Sequence, residues 1–307
     1  MLALSCALLW PCFSFAAQPR PVVLLLSDSS APYQEAARAV QSGLEAEAGT
    51  RITLRVAVLD EPGVDGALAQ PDALIVAVGH KAVQVAMRSD APVLAVLIAR
   101  VSYEQLYGAG GAAARRRPMS AIYLDQPASR HFQLLRAALP QARSVGVLFG
   151  AGSVSSPAEL SAAASASGFE LRTASLGASA DLFPSLQELL PEVDALLLLP
   201  DPRVVNRASL QNLMLATYRQ RVPVLGYSQS LVEAGSLLAV YSSPQQIGRQ
   251  AAETILRMLS GRGWELPPPA YPKYFTVRTN SYVGRALDIA LPAESALLQR
   301  LGAGGGS

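Results

Sequence analysis

Pro21-Val-Val-Leu-Leu-Leu26 and Ser144-Val-Gly-Val-Leu-Phe149 are short aliphatic runs of the kind that form buried strands, and a second pair, Pro71-Asp-Ala-Leu-Ile-Val76 and Val193-Asp-Ala-Leu-Leu-Leu198, echoes them at the same spacing. Val23 to Val145 and Asp72 to Asp194 are both 122 residues apart. A third echo, Ala91-Pro-Val-Leu-Ala95 against Val222-Pro-Val-Leu-Gly226, separates Pro92 from Pro223 by 131, so the second half carries nine extra residues (131 − 122) before its matching strand. Working outward, strands at 22–26, 52–58, 73–78 and 93–98 alternate with helical spacing near 32–48, after Pro62 and over 80–88. The second half repeats this with strands 144–149, 169–174, 194–199 and 222–226 and helices 157–167, 180–190 and 204–220. Apolar strands alternating with helices predict α/β architecture: two doubly wound, Rossmann-like lobes with parallel central sheets, each able to bind ligand beyond the carboxyl ends of its strands.

Size agrees with two units, since 307 residues support two cores of about 100 to 150 residues each. Half of the residues are apolar and 16% are charged, a balance that excludes a disordered chain. A net charge of +2 gives no reason to expect a nucleic-acid partner.

Residues 2–17 form an apolar run broken by Pro11 and ending in small residues, which reads as a secretory signal peptide cleaved near Ala16 or Ala17. No Lys or Arg precedes Arg20, so the basic start of such a signal is missing and an upstream start is expected. Both cysteines, Cys6 and Cys12, fall inside this run, so the mature chain is expected to have neither disulfides nor thiolate chemistry. The expected location is the periplasm.

Between the repeats, Asp125 reads as the N-cap of a helix in which Pro127 occupies the first turn, Ala128, Phe132, Leu135 and Leu139 form one apolar stripe, and His131 faces solvent. Gly108 to Arg117 reads as an exposed loop, its Arg115-Arg116-Arg117 run either a solvated surface or a docking patch for a membrane permease. A strand at 236–241, a helix at 244–259 and a last strand at 274–278 fit neither repeat and are expected to complete the lobes after the chain recrosses between them.

Ile122-Tyr-Leu-Asp-Gln-Pro127, the helix running to Pro140, Ser144 to Phe149, Pro223-Val-Leu-Gly-Tyr227, Glu233-Ala-Gly-Ser-Leu237 and Ile247-Gly-Arg-Gln250 resemble the substrate-binding proteins of the ABC-importer family that includes tryptophan and tyrosine binders. The resemblance implies a periplasmic-binding-protein fold of the first type, with three hinge crossings placed near Leu124, Tyr241 and Tyr271. It divides the chain into signal peptide 1–17, a first lobe of 20–123 and 242–270, a second lobe of 124–240 and 271–300, and a flexible tail 302–307. It implies a monomer that captures a small polar or aromatic molecule, such as an amino acid, and delivers it to an ABC permease and ATPase at the inner membrane. Two rival readings are a periplasmic sensor signalling to a membrane receptor and an enzyme working in the cleft.

The pocket loops implied by the resemblance nominate Ser27, Ser29, Ser30, Gly79, His80 and Arg100 in the first lobe and Ser155, Ser156, Asp201, Arg203, Tyr227, Ser228, Gln229 and Tyr241 in or beside the second. The serines stand before helices, where hydroxyls and free amides either hold an anion or cap the helix. Tyr227 and Tyr241 either stack on a planar ligand or pack under the hinge. Asp201 and Arg203 either pair or recognise a charged group. Ser155-Ser156 replaces the Asn-Ser common in relatives, and Asp201-Pro202-Arg203 replaces a Thr-Asp-Asn type of loop, so amino-acid specificity does not carry over. No metal-ligand spacing, phosphate loop or nucleophile-and-base set is present, so neither cofactor nor catalysis is expected.

Overall fold

The computed structural model describes residues 18–109, 118–150, 157–176, 182–201, 203–261 and 263–302. The signal-peptide reading of 1–17 and Arg115-Arg116-Arg117 lie outside the described residues, as do residues 303–307 of the tail.

The first sheet contains β1 (Arg20–Leu26), β2 (Ile52–Val58), β3 (Leu74–Val78), β4 (Val93–Ile98) and β5 (Met119–Tyr123), ordered β2-β1-β3-β4-β5 and parallel throughout. Val22 pairs with both Leu74 and Leu54, which makes β1 an interior strand. Such a strand is covered on both faces, which is why it reads as continuous Val and Leu rather than as an alternation. One face is covered by α1 (Ala31–Ala48) and α10 (Pro244–Met258), the other by α3 (His80–Ala86) and α4 (Arg100–Ala109); a short α2 (Val64–Leu68) follows β2.

α1 and α10 approach so closely that glycine is required at their contact. A Cβ on Gly248 would stand 2.4 Å from the Ala36 carbonyl oxygen, and one on Gly43 would stand 2.7 Å from Ala252 Cβ. Ile247, Ala251, Ile255 and Met258 thereby enter the core built on Leu24, Val76 and Leu94. The 244–259 helix, which fits neither repeat in sequence and is placed with the first lobe by the resemblance, packs in that lobe's core.

The second sheet contains β6 (Ser144–Phe149), β7 (Glu170–Ser175), β8 (Ala195–Leu197), β9 (Val224–Gly226), β10 (Leu238–Tyr241) and β11 (Thr276–Thr279). Its order β7-β6-β8-β9-β10 repeats that of the first sheet, with β11 added antiparallel at the edge. β10 therefore has a counterpart, β5, and the repeat extends one strand beyond the four legible in each half. α5 (Ala128–Ala138), α6 (Pro157–Ala166) and α12 (Glu294–Arg300) pack on one face through Phe132, Ala164 and Leu297. The other face is covered by α7 (Leu182–Leu189), α8 (Leu210–Arg219) and α9 (Gln229–Glu233) through Leu186, Leu213 and Leu231. α11 (Ser281–Leu287) follows β11 and begins at an Asn280 side-chain cap.

Local readings need correction at several residues. Gly108 belongs to α4 rather than to a loop. The helix expected from 204 starts at Leu210, because the Asn206 and Ser209 side chains bond the intervening backbone into a turn. Asp125 does not cap α5, whose N-cap is Pro127; its carboxylate instead accepts the Arg100 backbone N–H and so caps α4. His131 is not a surface residue, being only 4% exposed, and the α5 stripe is broad enough to bury Leu134 and Ala138 beside Phe132 and Leu135.

The chain passes between the two layers at 124–127, 242–243 and 271–275, and one polar network ties these passages together. Ser242 Oγ accepts from Gln126 Nε2 at 2.8 Å and donates to the Tyr274 carbonyl at 2.6 Å. Arg130 donates to Gln126 Oε1 and to the Pro272 carbonyl, and its guanidinium lies 4.0 Å over the Phe275 ring. Burial holds the Arg130 pKa down at about 10, so the group is still a cation at neutral pH.

Candidate functional site

Between the two layers lies a cavity of about 650 Å³, within the usual size range of small-molecule sites. The first lobe contributes Pro32 and Glu35 from α1, Ala99, Arg100 and Val101 from the β4–α4 junction, and the start of α10 at Ser243–Gln245. The passages contribute Leu124, Asp125, Gln126, Ser242 and Tyr271. The second lobe contributes Ala128 and His131 of α5, Glu159 and Leu160 of α6, Leu199 and Pro200 after β8, Tyr227–Ser230 after β9, and Tyr241 at the end of β10.

Arg100 stands at the centre of the charged wall. Its Nη2 donates to Glu159 Oε2 at 2.9 Å, from the first lobe to the second, and its Nε lies 3.8 Å from Glu104. Burial lowers the guanidinium pKa, but Tyr271 and Glu159 outweigh it and the net direction is upward. Tyr271 Oη donates to Glu159 Oε1 at 3.3 Å, and the Tyr271 ring meets Tyr123 edge-on at 5.5 Å. Burial first, then the nearby carboxylates, push the Tyr271 phenol up to about 12, so it remains a neutral donor. The Asp125 carboxyl is raised by burial, with the Arg100 N–H working in the opposite direction.

On the opposite wall, Ser228 Oγ caps α9 by accepting the Leu231 N–H, and Tyr241 Oη donates to Gln229 Oε1 at 3.1 Å. Burial raises the phenols of Tyr227 and Tyr241, keeping both neutral. His131 Nδ1 is buried with no hydrogen-bond partner among the described residues, an unsatisfied polar atom on a residue of the cavity wall.

The structure thus brings together five of the residues nominated by sequence: Arg100, Tyr227, Ser228, Gln229 and Tyr241. Ser27, Ser29, Ser30, Gly79, His80, Asp201 and Arg203 do not line the cavity. Ser27 is buried, donating to the Val78 carbonyl and accepting from the Ala82 N–H, so its hydroxyl joins β1, β3 and α3. Ser29, Ser30 and His80 are exposed. Gly79 has φ +88° and no room for a Cβ, which would stand 2.7 Å from Ser27 Oγ and from the Tyr33 ring. Asp201 accepts from the Gly150 and Arg203 backbone amides, and Arg203 is exposed. Ser155 and Ser156 lie outside the described residues. Glu35, Gln126, His131, Glu159 and Ser242 were not nominated; they sit on helices and passages rather than on loops after strands.

The sequence profile described as ABC transporter substrate binding protein matches residues 123–298. Among solved structures, a ligand-free, open substrate-binding protein with adhesive properties from Clostridium difficile superposes with a TM-score of 0.71 at 18% identity, covering 90% of this chain and 97% of that one. An ABC domain from Streptococcus pneumoniae in complex with L-Trp gives 0.60 at 18% identity, with coverage of 92% and 99%. A conserved domain protein from Vibrio cholerae gives 0.60 at 20% identity, with coverage of 92% and 98%. No curated protein sequence matches the chain. Two α/β lobes of like strand order, joined by several passages around one cavity, define the periplasmic-binding-protein fold of the first type. With the profile spanning more than half of its length, the chain belongs to the ABC transporter substrate-binding protein family.

Proposed function

We propose that this protein is the periplasmic solute receptor of an ABC importer, holding a small polar or aromatic molecule, of amino-acid size or similar, in the cavity between its lobes and presenting the closed form to a permease and its ATPase. The supporting observation is that both lobes and the passages between them line one cavity, which Arg100 and Glu159 bridge.

A solute touching both walls stabilises the form in which the walls are close, because half of its contacts are lost when the lobes part. Closure then reports occupancy without any covalent step, and binding rather than turnover is the work of the site. The passages at 124–127, 242–243 and 271–275 are the places where backbone rotation would move one lobe against the other. Among the described residues no helix is long and apolar enough to cross a membrane, consistent with a receptor that meets its transporter from outside the bilayer.

A thermal-shift screen of residues 18–307 against amino acids, amines, nucleosides, sugars and vitamins tests this reading. A ligand at about 100 times its dissociation constant adds about 2.7 kcal/mol, a rise of several degrees in melting temperature. A screen in which no compound raises the melting temperature contradicts it.

A further inference from the structure

Among the described residues, Glu35, Asp125 and Glu159 place three carboxylates on the cavity wall, against one lining guanidinium, that of Arg100. That guanidinium is already engaged by Glu159 at 2.9 Å and by Glu104 at 3.8 Å. Three of the helix starts beside the cavity, which would otherwise attract anions, are filled by the chain's own oxygens, whereas α1 and α5, whose first turns line it at Pro32 and Ala128, have no side-chain cap. Asp125 takes the Arg100 N–H, Ser228 takes that of Leu231, and Ser243 takes that of Gln246 in a capping box. Excess negative charge on the wall disfavours a carboxylate ligand and favours a cation.

The remaining lining agrees. Tyr227, Tyr241 and Tyr271 offer aromatic rings, whose negative faces attract ammonium and guanidinium groups. His131 Nδ1, buried and unpartnered, is a hydrogen-bond position still to be filled. Burial and the neighbouring Arg130 hold its imidazole neutral, which leaves the ring able to accept from a ligand N–H. Leu124, Leu160 and Leu199 supply apolar wall for the body of the ligand.

We infer that this cavity selects an organic cation, an amine or guanidine carried on an apolar or aromatic body, over zwitterions and anions of the same shape. The inference rests on the cavity being the solute seat, and the test separates the two.

Isothermal titration of the protein with phenethylamine, L-phenylalanine and 3-phenylpropanoate, and with pentylamine, norleucine and hexanoate, varies charge on a fixed body. The amines are expected to bind at least about tenfold tighter than their matched zwitterions and anions, and Glu35→Gln is expected to weaken them by about fivefold or more. Zwitterions or anions binding as tightly as the amines would overturn the charge preference while leaving the cavity as a solute seat. Amine binding unchanged by Glu35→Gln would overturn it equally. Silence from all six probes would overturn the preference and the solute seat together.

Discussion

Arg100 Nη2 lies 2.9 Å from Glu159 Oε2, joining the helix that follows β4 of the first lobe to a helix of the second. The same guanidinium sits 5.9 Å from the Tyr271 ring, and Tyr271 donates to the same carboxylate, so three segments far apart in sequence meet at one clasp. Its strength is limited by water: the Arg100 and Glu159 side chains are 24% and 40% exposed. A pair so placed contributes no more than about 1 kcal/mol. That is enough to bias a two-lobed equilibrium without locking it.

Glu159→Gln is expected to shift the lobes toward separation by at most about fivefold in population. Spin labels on Arg38→Cys of α1 and Arg219→Cys of α8, both exposed positions on opposite lobes, would report it as a larger share of long distances. An unchanged distance distribution would show that the pair plays no part in lobe approach.

Ser242→Ala is expected to destabilise the protein by about 1 to 3 kcal/mol, because it leaves the Gln126 amide and the Tyr274 carbonyl unpaired in a buried place. Urea unfolding measures the loss. A change within error would mean that the network between the passages is replaced by water at no cost.

Gly248→Ala is expected to cost about 1 to 3 kcal/mol or more, since the new methyl meets the backbone oxygen of Ala36 at 2.4 Å and backbone cannot step aside as a flexible side chain can. Thermal unfolding should show the drop directly. A variant as stable as the parent would mean that α1 and α10 can separate freely.

The His131 imidazole is pushed down from 6.5 to about 4 by burial and by Arg130. The unfolded chain therefore takes up a proton below about pH 6.5 that the folded protein refuses until about pH 4, so stability falls as pH drops through that window. The loss is at most about 3 kcal/mol. Asp125, whose carboxyl is raised by burial, acts in the opposite direction, favouring the folded state as pH falls. The comparison is therefore wild type against His131→Gln in unfolding free energy at about pH 7.5 and about pH 4.5, with the variant expected to lose less. Equal losses would contradict a buried neutral imidazole.

These residues also show what a sequence can and cannot carry. Val22 to Leu26 and Val145 to Phe149 were readable as strands because burial on both faces removes every polar residue from them, a signal that needs no knowledge of neighbours. Tyr227, Gln229 and Tyr241 follow or end strands, where α/β folds place ligands, and they line the cavity. Ser27 reads as a helix-start anion seat or a cap, yet it is a strand-end stitch to Val78 and Ala82, 51 and 55 residues away. Asp125 looked like a local cap and serves a helix that starts 25 residues earlier. Gln126 and Ser242 meet across 116 residues, and nothing local in either distinguishes a buried partner from a polar surface residue.

The cavity as solute seat is tested most directly by titrating the tightest hit from the thermal-shift screen into wild type, the Tyr227→Ala/Tyr241→Ala double variant, and Tyr282→Ala, which alters a ring 78% exposed and outside the cavity. The double variant is expected to bind at least about tenfold more weakly, losing two aromatic faces and the Tyr241 to Gln229 hydrogen bond, with Tyr282→Ala unchanged. Equal dissociation constants for all three proteins would contradict binding between the lobes.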